Sequence, residues 1–148
     1  MKVYIKNHQR LIKVNRQRIK RQLRKALQLL RLHKAELSIL FVNDERMKQL
    51  NEQYRGVEST TDVLSFPQIE PQNLKFKTQN FILGDIVINL HRARRQAAEY
   101  NLGFYDELKR LLIHGLLHLI HYDHETSKHQ KQKMKAKEKE LLEELRHT

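Results

Sequence analysis

Four histidines within eleven residues constrain this chain more tightly than anything else in it: His114-Gly115-Leu116-Leu117-His118-Leu119-Ile120-His121-Tyr122-Asp123-His124. His114 and His118 are one helical turn apart, so they face the same way and are close enough to bind one ion. His124 cannot join them on a continuing helix, because ten residues of helix carry it about 15 Å along the axis. The helix therefore has to end just after His118, and the chain has to fold back to deliver His124. Three neutral imidazoles without a fourth protein ligand describe a zinc-type catalytic site whose open position holds water.

His121 competes for the third place, lying at i+3 from His118 and i+7 from His114. A triad of 114, 118 and 121 would spread over about two turns, roughly 10 Å, which is awkward for one small ion. His124 is preferred on that ground. His121 is assigned to the turn, at a backbone position with positive φ that His tolerates better than most non-Gly residues. Leu112, Ile113, Leu116, Leu117, Leu119 and Ile120 make the helix largely buried. Buried imidazoles need partners: a metal satisfies one ring nitrogen, and a carboxylate or carbonyl must satisfy the other. Gly115 stands where H-E-x-x-H metalloproteases carry their general base. Its presence counts against peptide hydrolysis of that kind.

The formal net charge is +12, and it is concentrated at one end. Residues 1–35 carry twelve Lys or Arg and no Asp or Glu, whereas the other 113 residues carry seventeen of each sign. Solvated helix faces are often basic, but twelve cations without an acid repel one another, and a polyanion relieves that. Nucleic acid is the first candidate and an anionic membrane surface the rival. A metal beside such a surface points to phosphodiester chemistry. There is no Cys, which rules out disulfides and thiolate metal sites. No apolar run approaches the ~20 residues of a membrane span, and no signal-peptide pattern is seen, so a soluble, cytoplasmic protein is expected.

Local signals give the element order. Lys2 to Ile5 reads as a short edge strand. Asn15 caps an amphipathic helix to about Leu32, with Ile19, Leu23, Ala26, Leu27 and Leu30 on one face and Arg16, Arg18, Lys20, Arg21, Arg24 and Lys25 on the other. Glu36 to Val42 reads as a strand. A helix starts at Asn43-Asp44 and ends near Arg55-Gly56, where Gly56 suits the left-handed position. Asp62 to Phe66 is a strand stopped by Pro67, and residues 68–80 are polar and irregular. Phe81 to Leu90 is a longer strand in which Gly84 marks a bulge or close backbone approach. Helices are predicted over His91 to Tyr100, over Tyr105 to about Ile120, and from a Ser127 cap almost to the end. Strands interleaved with helices indicate an α/β or α+β sandwich.

The histidine segment resembles the H-G-x-L-H-L-x-G-Y-D-H signature of the YbeY family of bacterial endoribonucleases. Two more blocks are similar to the family's: Leu50-Asn51-Glu52-Gln53-Tyr54-Arg55-Gly56 with Thr61-Asp62-Val63-Leu64-Ser65-Phe66-Pro67, and Leu83-Gly84-Asp85-Ile86-Val87-Ile88. The resemblance covers residues 41–124. It departs at His121, where the family has Gly, and at Thr60, where it usually has Pro. It implies a single α+β domain over residues 1–148, with a small mixed sheet, about five helices and a groove beside the metal. It implies one zinc ion held by His114, His118 and His124. It further implies cleavage of single-stranded RNA, with a role in 3′-end maturation of small-subunit (16S) ribosomal RNA and in ribosome quality control.

On this basis Arg55 and His114 are taken as catalytic. Arg55, Arg21, Arg24 and Lys25 are taken as contacts to RNA. Arg55 would pair with the non-bridging phosphate oxygens, the bland alternative being a surface ion pair at a helix end. Asp123 either orients a ligand histidine or turns the chain, and Asp62 and Asp85 either do the same or tie strand ends together. Tyr54, Phe66 and Tyr122 could stack on bases, though such residues are more often core. Ser65 sits in no nucleophile elbow and is given no catalytic role. Two rival readings remain: a metal-dependent hydrolase of another substrate, and a non-catalytic ribosome-associated factor with a structural metal. The second would gain if His121 were a fourth ligand.

Overall fold

The computed structural model describes residues 1–75, 79–123 and 125–148. Strand β1 (Lys2–Asn7) leads to helix α1 (Arg16–Leu29), strand β2 (Ala35–Val42) and helix α2 (Asp44–Arg55). Strand β3 (Val63–Pro67) is followed by a short 3-10 turn at Pro71–Lys75 and strand β4 (Phe81–Asn89). Helices α3 (Leu90–Glu99), α4 (Phe104–Leu119) and α5 (Lys128–Glu144) complete the fold. The helix starts follow from their caps. Asn15, Asn43, Asn89 and Ser127 each accept a hydrogen bond from the backbone N–H three residues on. At the far end of α2, Gly56 takes φ 68° and Val57 N–H returns to the Asn51 carbonyl, closing the helix as the glycine predicted.

The four strands form a mixed sheet in the order β1-β2-β4-β3. β1, β2 and β4 run parallel, and β3 pairs antiparallel with β4 at the edge. A parallel pair needs a long crossover, which α1 supplies between β1 and β2. Alternation along the strands separates two cores. Leu37, Ile39 and Phe41 of β2 and Leu83, Ile86 and Ile88 of β4 belong to the main core, with residues of α1, α3, α4 and α5. Val42, Leu64 and Val87 belong to a smaller core on the other face, with Met47 and Leu50 of α2. This is the α+β fold with a small mixed sheet and five helices.

Gly84 is both bulge and close approach. Glu36 pairs with Ile82 and Leu37 with Gly84, so Leu83 is the extra residue. Gly84 has φ 153°, and a Cβ there would lie 2.5 Å from the Phe66 carbonyl oxygen and 2.8 Å from Leu119 Cδ2. The bulge thus seats the C-terminal end of α4 against the β3 edge. Among the described residues no helix is long and apolar enough to cross a membrane.

Candidate metal and RNA-cleavage site

Helix α4 ends at Leu119, one residue past His118, as the spacing of the histidines requires. His121 follows with φ 71°, the positive value expected of it. The turn closes by His121 N–H donating to the His118 carbonyl and Tyr122 N–H to the Leu117 carbonyl. His121 Nε2 donates to the Ile69 carbonyl at 2.8 Å, tying the turn to the segment after β3. Asp123 Oδ1 accepts from the Glu125 N–H at 2.7 Å, a local bond that turns the chain. His124 lies outside the described residues.

Both His114 and His118 are half-buried at the end of α4. Their Nε2 atoms are 3.2 Å apart, and the rings meet at 72°. His114 Nδ1 donates to Glu138 Oε1 on α5 at 3.1 Å. A carboxylate only accepts, so the proton of the neutral His114 ring is on Nδ1 and Nε2 offers a lone pair. That lone pair faces the Nε2 of His118. Two imidazoles bound to one tetrahedral zinc at ~2.0–2.1 Å have ligating nitrogens about 3.3 Å apart. The observed separation fits that donor pair. Among the described residues no group of three or more His, Cys, Asp or Glu is arranged to hold a metal ion.

A cleft of about 510 Å³ opens in front of these rings. Its walls include Val63, Ser65 and Pro67 of β3, Asp62 just before that strand, and His121, Tyr122 and Asp123 of the turn. Arg55, the last residue of α2, reaches the same cleft from the opposite side of the sheet edge. It is exposed, and its guanidinium has no ion pair or hydrogen bond among the described residues. The bland reading of Arg55 as an ion-pair partner at a helix end therefore lacks a partner there. Ser65 donates its hydroxyl to the Gly115 carbonyl at 3.1 Å and serves as a brace between β3 and α4.

Asp62 touches the cleft and the interior at once. Gln96 of α3 donates to Asp62 Oδ2 at 3.4 Å and to Glu107 Oε2 at 2.9 Å. Glu107 is fully buried and binds Arg110 through two bonds. Its carboxylate raises the Arg110 pKa, keeping that cation charged despite partial burial. Asp85 instead lies on the other sheet face, lining a second cavity with Tyr54 and Phe66. Tyr54 and Phe66 meet edge to face at 5.1 Å, and Phe66 packs on the smaller core.

The structure does not bring Arg21, Arg24 or Lys25 to the cleft. The reason is the seating of α1 on the opposite end of α4. Tyr105, at the start of α4, donates or accepts nothing near the histidines: its hydroxyl accepts from Asn15 N–H, and Arg18 lies over its ring at 4.5 Å. Lys25 Nζ donates to the Thr148 hydroxyl at 3.3 Å. Sequence reasoning also missed Glu138. The need for an acceptor behind a ligand histidine was legible, but nothing in the spacing pointed to a residue 24 positions further on.

The fold and the cleft define a small α+β domain built around paired imidazoles, with an arginine lining the same cleft. The family model for endoribonuclease YbeY matches residues 4–146. Curated proteins described as endoribonuclease YbeY are similar to this chain. The one from Thermodesulfovibrio yellowstonii is 44% identical over 110 residues, covering 74% of this chain and 67% of the relative. Those from Persephonella marina and Syntrophus aciditrophicus are 42% and 38% identical, covering 86% and 96% of this chain and 82% and 88% of the relatives. A solution structure of a Thermotoga maritima protein superposes with a TM-score of 0.62 at 28% identity, covering 97% of this chain and 91% of that one. This chain belongs to the YbeY family.

Proposed function

We propose that this chain is a zinc-dependent endoribonuclease that cuts single-stranded RNA. The observation that carries the reading is the pair of facing Nε2 atoms of His114 and His118, 3.2 Å apart, in a cleft that also contains Arg55. Family membership supports the nuclease activity and RNA as its substrate. His114, His118 and His124 would hold the ion. When bound there, zinc supplies Lewis-acid polarisation of a phosphoryl oxygen and a lowered pKa for water.

The protein's own residues do the rest. Arg55 binds the non-bridging oxygens of the scissile phosphate and offsets the charge that grows in the transition state. His114, oriented by Glu138, and His118 fix the donor set. In this reading the RNA lies as a single strand in the cleft between β3 and the α4 turn, where unpaired bases are open to recognition. Arg21, Arg24 and Lys25 lie off the cleft, so in this reading they track phosphates of the flanking RNA without reading bases. The same reading extends to 3′-end maturation of small-subunit ribosomal RNA on the ribosome, in the cytoplasm.

The test is cleavage of a labelled single-stranded RNA beside a duplex of the same sequence. Wild type is compared with His118→Ala and with chelated and zinc-restored protein. Single-strand cutting that is lost on chelation, restored by zinc and absent in the variant is expected. Equal cutting by chelated protein or by His118→Ala would sink the metal-dependent reading.

A further inference from the structure

We propose that Glu138 is the positioning residue of the histidine cleft. Its carboxylate holds the Nδ1–H of His114, which sets both the tautomer and the rotation of the ring, so that the lone pair of Nε2 is turned towards His118. The inference rests on the reading of this cleft as a zinc site and adds a member that lies outside the histidine motif.

Helix α5 makes the assignment unusual. It is a highly charged helix whose buried stripe runs Met134, Leu141 and Leu145. Glu138 stands on that same stripe, four residues after Met134 and three before Leu141. A carboxylate on the core-facing side of a helix carries a desolvation cost unless it is bonded. Its side chain is only 18% exposed, and its bond is to His114 Nδ1 at 3.1 Å. Arg110, one turn before His114 on α4, is the nearest competing explanation. That guanidinium already gives Nε and Nη2 to Glu107, whose second oxygen also accepts from Gln96. Glu138 adds a through-space attraction to Arg110, after Glu107, but no hydrogen bond to it. It is not needed to dock α5, because Met134, Leu141 and Leu145 are already fixed in the main core.

A carboxylate behind a ligand imidazole raises its basicity and limits its rotation. Removing such a partner typically costs about 10–100-fold in metal affinity. The experiment uses the full chain. Zinc affinity is measured by competition with a chromophoric chelator for wild type, Glu138→Ala, Glu138→Gln and the exposed control Glu140→Ala, with thermal melts to confirm folding. In parallel, the ring-nitrogen chemical shifts of His114 are recorded on zinc-free protein. We expect Glu138→Ala to lose about 10–100-fold in zinc affinity while Glu140→Ala stays at wild type. Glu138→Gln, which keeps an acceptor oxygen, should retain the Nδ1–H tautomer and lose only a few-fold. Zinc affinity of Glu138→Ala within twofold of wild type would overturn the proposal. If wild type itself takes up no zinc, the metal reading of the cleft fails. The zinc-free spectrum then decides the role of Glu138 by itself: a His114 proton on Nε2 in wild type would overturn it, and a proton on Nδ1 that Glu138→Ala releases would uphold it.

Discussion

The Ser65 hydroxyl lies 3.1 Å from the Gly115 carbonyl oxygen, joining the edge strand β3 to α4 within the turn that separates the two paired histidines. This bond locates Gly115 against the sheet. A Cβ at that position would lie 2.9 Å from Ile86 Cγ2 and 3.2 Å from Ser65 Oγ. The position that carries a general base in H-E-x-x-H enzymes is here a close approach of helix to sheet. A glutamate would have no room there.

Gly115→Ala should therefore destabilise the fold. In an exposed helix interior the same change would stabilise by up to about 1 kcal/mol. Here Ile86 is fully buried and β-branched, so the added methyl meets a wall that yields little. A loss of about 1–3 kcal/mol is expected from overpacking, read by urea denaturation. A gain in stability would show that α4 stands further from β4 than the geometry requires.

Arg55→Lys should separate charge from geometry. The guanidinium offers two parallel donors to a phosphate, and an ammonium does not. A loss of about 10²-fold or more in kcat/KM is expected for Arg55→Ala. Lys should recover only a part of it. Because Arg55 is exposed at a helix end, the melting temperature should hardly move. Full activity in the Lys variant would show that two-pronged recognition is not used.

The basic face of α1 makes a prediction about salt. If Arg21, Arg24 and Lys25 each neutralise one RNA phosphate, the triple Ala variant should reduce the slope of log affinity against log salt by about 2. The rate of cutting at saturating RNA should stay the same, since none of the three lines the cleft. An unchanged slope would mean that this face does not meet the RNA.

Asp44 ties the start of α2 to α3. It accepts from Arg95 at 2.7 and 2.9 Å and from the buried Asn89 at 2.8 Å. The Arg95 bonds first, then the Asn89 bond, bring its carboxyl down from the ordinary 3.8 to about 2, against the opposing effect of burial. A carboxyl depressed in the folded state contributes its stability above the unfolded value and loses it as pH falls through the folded one. The contribution is thus complete above about pH 4 and vanishes towards pH 2. Arg95→Ala should flatten acid unfolding across that window. At neutral pH it should cost less than about 1 kcal/mol, because both partners are well exposed and solvent screens the pair. An acid-unfolding profile identical to wild type would show that the pair contributes nothing.

What was legible in the sequence is what short-range geometry decides. Asn15, Asn43 and Ser127 cap helices because a side-chain oxygen reaches an N–H three residues on, whatever the rest of the chain does. Gly56 and His121 adopt positive φ because a helix end demands it locally. The pairing of His114 with His118 follows from helical pitch alone. The tertiary structure decided everything that depends on which distant segments meet. The strand order β1-β2-β4-β3 could not be read from periodicity, because alternation marks a strand's buried face and not its neighbour. Arg55 lines the histidine cleft only because α2 ends beside the β3 edge, and Glu138 meets His114 only because α5 packs back along α4. Arg21, Arg24 and Lys25 were legible as a basic helix face, but the sheet and the first turns of α4 determine where that face points. Long-range contacts of this kind are selected by the packing of the whole core, so no window of sequence contains them.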